Sequence, residues 1–145
     1  VVVSAGPGEE RLARRVAALA GLPPAAVLTG LSFDALSALV AHARAVVVGD
    51  TGVAHLATAH GTASVVLFGP VSPRLWGPPL SPAHRVLWHP DTGPDPATAP
   101  VRPGDPHADH PDARLLRIGV EEVLTAVEEV LTAPARQPEP PARPG

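Results

Sequence analysis

The chain has 145 residues, enough for one domain, and its net charge of −3 provides no basic excess for binding nucleic acid. It contains no cysteine, so disulfides and thiolate chemistry are excluded. No uninterrupted apolar stretch reaches the roughly 18 residues that a membrane-spanning helix needs. We therefore expect no nucleic-acid partner. Because the sequence opens directly on an apolar run, we also expect it to be part of a longer protein.

The first third of the sequence alternates apolar runs with helical segments. Val1–Ala5 predicts a strand that ends at Gly6-Pro7-Gly8, and Glu9–Ala20 has the spacing of a helix. Three apolar residues share one face of this helix: Leu12, Val16 and Leu19. Ala25–Thr29 predicts a second, weaker strand. A second helix follows, which Ser32 can cap, and its apolar face comprises Phe33, Leu36, Leu39, Val40 and Ala43.

The middle of the chain repeats the alternation. Ala45–Gly49 and Ser64–Gly69 predict strands that are apolar on both faces, and Gly52–His60 between them fits a helix closed by Gly61. Strands of this kind, alternating with helices, indicate a parallel sheet covered on both sides. The predicted fold class is therefore α/β, a Rossmann-like doubly wound parallel sheet with the four strands in one sheet.

Proline becomes frequent after Gly69. Val86–Trp88 predicts one more short strand, and the residues from His89 to Pro111 show no periodicity. Val120–Leu131 predicts a last helix, and one apolar face comprises Val123, Leu124, Val127 and Leu131. We predict a single domain over residues 1–131 and a Pro-rich disordered tail over 132–145.

The stretch from Val46 to Gly61, VVVGDTGVAHLATAHG, contains an Asp-Thr-Gly triplet that fits two kinds of site. In an aspartic protease such a triplet lies in an all-β fold, with extended chain after it. Here the residues after Gly52 have helical spacing, which favours a strand-to-helix turn. The amino end of a helix offers free amides and a partial positive charge, and both suit a phosphate.

Four residues of this turn are candidate ligand contacts. Gly52 allows close approach to the backbone, Thr51 can donate its hydroxyl, and His55 lies one turn into the helix. The Asp50 carboxylate repels phosphate, so it fits better as a helix cap or as an acceptor for a sugar hydroxyl. Plain capping by Asp50, with His55 as a packed surface residue, remains an equal alternative from spacing alone.

The turn after the first strand offers a second candidate site. Glu9 or Glu10 can accept two hydrogen bonds from a ribose diol, although acids in a first helical turn are more often partners of the helix dipole. The remaining polar and aromatic residues favour ordinary roles. The stretch His107-Ala108-Asp109-His110 contains residue types that bind metals, but it lies in a Pro-rich loop. Trp76 and Trp88 are candidates for packing, and Arg74 is expected in solvent.

Three segments together resemble the C-terminal half of glycosyltransferase family 9, the ADP-heptose:lipopolysaccharide heptosyltransferase family. They are SAGPGEERLA, the long segment from LTGLSF to RLWGPP, and LLRIGVEEVLTAVEEVL. The most specific parts are Asp50-Thr51-Gly52 with His55, and Phe68-Gly69-Pro70 with the Ser-Pro and Trp-Gly-Pro pairs that follow.

This resemblance implies a GT-B fold, in which the donor-binding domain faces an acceptor domain across a cleft. It implies inverting, metal-independent transfer of a heptose-like sugar from ADP-heptose or another nucleoside-diphosphate sugar, with no cofactor. Thr51 and Gly52 would hold the diphosphate, and Asp50 would lie near the sugar in the pocket that His55 lines. Glu9, or else Glu10, would hold the ribose, and Leu31 would lie against the adenine.

The resemblance also sets expectations that reach beyond this chain. The catalytic base is unknown here and is expected on the missing N-terminal domain, so this fragment alone is expected to be inactive. The acceptor would be a glycan or glycolipid. The protein would be located in the cytoplasm or at the inner face of the plasma membrane, and the full protein could associate peripherally with that membrane. An epimerase-like enzyme of nucleotide sugars and a non-catalytic nucleotide-binding module remain alternatives.

Overall fold

The computed structural model describes residues 1–91 and 110–133. These residues form two compact units, Val1–Leu39 and a second unit that starts at Val40. The boundary between the two units falls within a helix. The domain limits predicted from the sequence stay a prediction.

The first unit is a two-stranded parallel sheet with helices. Strand β1 (Val3–Ala5) pairs in parallel with β2 (Val27–Thr29), and helix α1 (Glu10–Leu19) connects them. A short 3-10 turn over Pro24–Ala26 leads into β2. Helix α2 (Phe33–His42) begins in this unit, and the Ser32 hydroxyl accepts a hydrogen bond from the Ala35 amide at 3.2 Å. The predicted cap is therefore present.

The second unit is a three-stranded parallel sheet in the order β3-β4-β5. The strands are β3 (Val46–Gly49), β4 (Ser64–Leu67) and β5 (His84–Leu87), with Val48, Val66 and Val86 in register. Helix α3 (Gly52–His60) connects β3 to β4 and ends at Gly61. Gly61 has a φ of 68°, and this left-handed conformation is the one in which glycine commonly ends a helix.

Helices cover both faces of this second sheet, as the apolar strands predict. On one face, Ala54 of α3 packs with Val66 and Phe68, and Val48, Val86 and Trp88 surround them. On the other face, Val65 packs against Ala126 and Val130 of the last helix, α6. Two four-residue helices, α4 (Pro73–Trp76) and α5 (Ala113–Leu116), precede α6 (Val120–Thr132). The α/β class with parallel strands is confirmed.

The strand neighbours differ from the sequence prediction. The four predicted strands were expected in one sheet, but among the described residues β1 pairs with β2 alone and β3 pairs with β4 alone. Alternation of strands and helices predicts parallel pairing, yet it does not say which strands are neighbours, because long-range contacts decide that. The sequence therefore specified the class of sheet correctly and its continuity wrongly.

Two helices bury different residues from those that periodicity indicates. In α1 the buried residues are Ala13 and Ala17, whereas the predicted face of Leu12, Val16 and Leu19 is exposed. In α6 the buried residues are Ala126 and Val130, whereas Leu124 and Leu131 are exposed and Val123 and Val127 are half-buried. Ala13 and Ala17 of α1 and Ala126 of α6 lie on the covered side, and their small side chains allow each helix to approach its sheet closely.

Two sequence predictions lie largely outside the described residues. The tail over 132–145 is described only to residue 133, where α6 has ended at Thr132. Of the metal-like stretch, only His110 is described, and it is exposed.

Candidate functional site

The carboxyl ends of β3, β4 and β5 lie at one edge of the second sheet, because the three strands are parallel and in register. In open parallel sheets this edge is where ligands bind. Asp50 and Thr51 follow β3 there, Gly69 and Pro70 lie just after β4, and Trp88 follows β5. The Asp50 turn and the Phe68-Gly69-Pro70 stretch therefore lie at the same edge of the sheet.

The Asp50 turn presents the amino end of α3 to solvent. Thr51 is the N-cap residue, with an extended backbone (φ −141°, ψ 172°), and no side-chain hydrogen bond caps the helix. Thr51 and Gly52 are exposed. The first amides of a helix have no partner within it. Since Asp50 is not the N-cap residue, the plain-capping alternative loses its geometric basis, and the first-turn amides are suited to receive an anion.

Gly52 adds room at the same point. A Cβ built on Gly52 meets no atom within 4 Å, and the backbone there does not lie in the left-handed region. Neither folding nor packing therefore demands glycine at this position. Close approach of a ligand to the backbone would explain why glycine occupies this position. Because the space around it is open, a substitution of Gly52 can perturb binding without perturbing the fold.

Asp50 is partly buried, and burial raises the pKa of its carboxyl above the ordinary value of 3.8. The His55 imidazole offsets part of this rise by electrostatic attraction. His55 itself is exposed, one turn into α3. The turn thus combines a partly desolvated acceptor, an exposed imidazole and free helix amides within one stretch of chain.

The neighbouring strand ends are tightly organised. The Trp88 indole nitrogen donates to the Gly69 carbonyl at 3.2 Å, and the Phe68 amide donates to the Leu87 carbonyl at 2.9 Å. A Cβ on Gly69 would lie 3.2 Å from the Leu115 Cβ, so α5 packs closely on this turn. Trp88 therefore has the packing role that the sequence favoured.

Sequence reasoning missed an ion-pair network beside these strand ends. Arg114 contacts both Asp91 and Asp112, and Arg117 reaches Asp91 at 3.0 Å. Hydrogen bonds from Arg114 and Arg117 lower the pKa of the Asp91 carboxyl. His89 pairs with Glu122 at 2.8 Å. One local signal in the sequence is Asp112, an N-cap residue type directly before an apolar helical turn. In the structure the Asp112 carboxylate caps α5 by accepting a hydrogen bond from the Arg114 amide at 2.9 Å.

The remaining candidates belong to the first unit and share the carboxyl edge of its own sheet. Glu9 follows β1 and its carboxylate accepts from the Gly6 amide at 3.0 Å, while the Glu10 carboxylate accepts from the Gly8 amide at 3.3 Å. Leu31 follows β2, two residues after Thr29, and is half-buried. Glu9 thus has one carboxylate oxygen committed to its own turn.

The described part of the chain contains neither a candidate metal centre nor a helix that could span a membrane. Over residues 1–91 and 110–133, no group of three His, Asp or Glu side chains is placed to hold a metal ion. Within the same ranges, no helix has the length and apolar character needed to cross a bilayer. Metal independence stays a prediction.

Comparison with protein families and known proteins adds independent information. The model of glycosyltransferase family 9 (heptosyltransferase) matches residues 1–101. Lipopolysaccharide heptosyltransferase 1 of Pseudomonas aeruginosa is 45% identical over 69 residues, which are 48% of this chain and 19% of that protein. The alignment therefore spans about a fifth of the relative's length. No solved structure is significantly similar to the chain.

Proposed function

The chain belongs to glycosyltransferase family 9, and on that premise we propose that it provides the donor-binding part of a sugar-transferring enzyme. The donor is a nucleoside-diphosphate sugar, of which ADP-heptose is the first candidate. The acceptor is a glycan or glycolipid of the cell envelope, and lipopolysaccharide is the precedent, since the relative's name includes it.

The observation that carries this proposal is the uncapped amino end of α3 at the carboxyl edge of the sheet. The first-turn amides and the helix dipole hold the donor's diphosphate, and the Thr51 hydroxyl donates to one of its oxygens. Stabilisation of the leaving diphosphate by fixed amides needs no metal ion. The site therefore supports metal-independent departure of the nucleoside diphosphate.

Asp50 acts on the sugar rather than on the diphosphate. Its carboxylate would repel phosphate, but it can accept hydrogen bonds from sugar hydroxyls, and partial burial strengthens such bonds. His55 lines the same pocket from the first turn of α3. In the first unit, considered by itself, the resemblance to the family supports a ribose-binding role for Glu9 or Glu10 and an adenine contact for Leu31.

Transfer proceeds by attack of an acceptor hydroxyl on the anomeric carbon, with inversion. The acceptor oxygen forms the new bond as the bond to the diphosphate oxygen breaks, and a base accepts the hydroxyl proton. We place that base on a separate acceptor-binding domain. The reaction would take place in the cytoplasm, at the inner face of the plasma membrane, with peripheral membrane association.

Calorimetric titration of the chain with ADP, UDP and GDP tests the proposal. We expect ADP to bind more tightly than the other two, and Gly52→Val to weaken ADP binding at least about tenfold because the side chain blocks the amides. Gly119→Val is the matched control, since Gly119 precedes α6 with equally open space around it. That control should bind ADP normally.

The outcomes separate the alternatives. Unchanged ADP affinity in Gly52→Val would refute the diphosphate site. Tighter binding of UDP would favour the epimerase-like alternative. In a transfer assay of the full-length enzyme, which includes the acceptor-binding domain and its base, Asp50→Ala should lower turnover more than it lowers ADP affinity, whereas equal losses would contradict the role assigned to Asp50. EDTA should not change the rate.

A further inference from the structure

Helix α1 exposes an apolar stripe instead of burying it. Leu12, Val16 and Leu19 are 62%, 46% and 80% exposed, whereas Ala13 and Ala17 are buried. At 3.6 residues per turn, the three exposed residues fall within an arc of about 60°. We call this set the α1 stripe. α1 packs against β1 and β2, so the stripe lies on a different side of the helix from that contact.

Arginines lie beside the stripe. Arg11 and Arg15 are one turn apart and project next to it on the side away from Ala13 and Ala17, and both are exposed. Arg14 lies further round and is also exposed. The acids of this helix are confined to its amino end, Glu9 and Glu10, and from Arg11 to Phe33 the sequence contains no Asp or Glu. A basic amphipathic helix of this kind suits an anionic apolar interface.

Helix α6 provides an internal comparison. It too exposes an apolar stripe, formed by Val120, Leu124 and Leu131, while its alanine side is buried. The exposed charged neighbours there are Glu121 and Glu128. The two stripes therefore match in apolar character and differ in the sign of the adjacent charge, so a negatively charged surface selects α1 over α6.

We propose that the α1 stripe, with Arg11 and Arg15, docks on a membrane surface that contains anionic lipids. The leucines and the valine enter the boundary between headgroups and acyl chains, and the guanidinium groups bind lipid phosphates. The proposal rests on the proposed function in one respect, because an enzyme that glycosylates a glycolipid acceptor works at a membrane. Helix α1 would hold the donor-binding part there.

Sedimentation of the chain with vesicles tests this surface. The vesicles contain either phosphatidylcholine alone or phosphatidylcholine with about one third phosphatidylglycerol, and the chain should bind the second kind more tightly. The double variant Leu12→Gln/Leu19→Gln should bind at least about tenfold more weakly. Arg15→Gln should bind about fivefold more weakly, and raising the salt concentration should reduce binding further.

The matched control is Leu124→Gln, at a leucine of the acidic stripe that is 52% exposed, and it should bind vesicles as the unaltered chain does. All the substituted residues are exposed, so thermal unfolding should be nearly unchanged. If the double variant fails to fold, Arg15→Gln and Leu124→Gln still decide the matter. ADP affinity of the variants should be unaltered, which separates failure of this proposal from failure of the nucleotide site.

Three results would overturn the proposal. One is equal binding of the unaltered chain to both kinds of vesicle, or to neither. Another is loss of binding in Leu124→Gln as large as in the α1 variants. The third is self-association that the α1 substitutions abolish while vesicle binding persists, which would identify the α1 stripe as a protein–protein contact.

Discussion

The indole nitrogen of Trp88 donates a hydrogen bond to the carbonyl of Gly69 at 3.2 Å, which joins the ends of β5 and β4. The Gly69 backbone is buried, and α5 packs against it within 3.2 Å of a Cβ position. This bond fixes the turn that carries Phe68-Gly69-Pro70, at the edge where the Asp50 turn also lies. Loss of this hydrogen bond should therefore lower the free energy of unfolding.

Trp88→Phe should lower the free energy of unfolding by about 1–3 kcal/mol, because it leaves the buried Gly69 carbonyl without this donor. Urea unfolding measures the loss. Trp76→Phe is the matched control, since Trp76 is 52% exposed, and it should change stability by no more than about 0.5 kcal/mol. Equal effects at the two tryptophans would show that the hydrogen bond contributes nothing specific.

The Asp50 carboxyl should make stability depend on pH. Its pKa is raised in the folded state by burial, so the folded chain binds more protons than the unfolded chain between 3.8 and the raised value. Stability contributed by this group therefore falls as pH rises through that window and stays low at neutral pH.

Asp50→Asn should consequently raise the melting temperature at pH 7, and the gain should shrink as the pH is lowered towards 3.8. Thermal unfolding over a pH series measures both. A lower melting temperature in the variant at pH 7 would mean that the carboxylate has a stabilising partner that outweighs its desolvation.

Asp91 should behave in the opposite sense. Hydrogen bonds from Arg114 and Arg117 lower the pKa of the Asp91 carboxyl. The stability that this carboxyl contributes is therefore fully present above pH 3.8 and is lost as the pH falls through the lowered pKa of the folded state. Asp91→Asn should reduce stability at neutral pH, and the difference from the unaltered chain should close in acid. In a double-mutant cycle, Arg117→Gln should be coupled to Asp91→Asn, whereas additive effects would show that the ion pair is not formed in solution.

Local chemistry was predictable wherever a few adjacent residues determine it. The spacing after Gly52 identified α3, Gly61 identified its end, and Ser32 identified the cap of α2, because each depends on one turn of chain. The Asp50 turn was found for the same reason, since a strand end followed by a helix start fixes its place at the sheet edge.

Features that depend on distant contacts were not predictable. Periodicity found the apolar stripe of α1 but not its exposure, because what covers a stripe is decided outside the helix. Likewise, Asp91 and Arg117 are 26 residues apart, and no local pattern joins them. The prediction of one continuous sheet failed for the same reason, because tertiary contacts determine which strands are neighbours.

Thr51 provides a graded test of the nucleotide site. Its hydroxyl makes no side-chain cap on α3, so Thr51→Ala should change stability little. If the hydroxyl donates to the diphosphate, the variant should lose about 0.5–3 kcal/mol of ADP binding free energy, the range for a hydrogen bond to a neutral or charged partner. Calorimetry and thermal unfolding on the same sample give both values. Full ADP affinity in Thr51→Ala would remove the hydroxyl from the site.

The most direct test of the central claim, that the amino end of α3 holds the donor's diphosphate, is an amide-resolved magnetic resonance titration of the chain with ADP. The amide resonances of Gly52 and Val53 should move on binding, because these amides face the phosphates, while those of Val120 and Glu121 in the first turn of α6 should stay in place. Saturable binding of ADP that leaves Gly52 and Val53 unmoved would contradict the account.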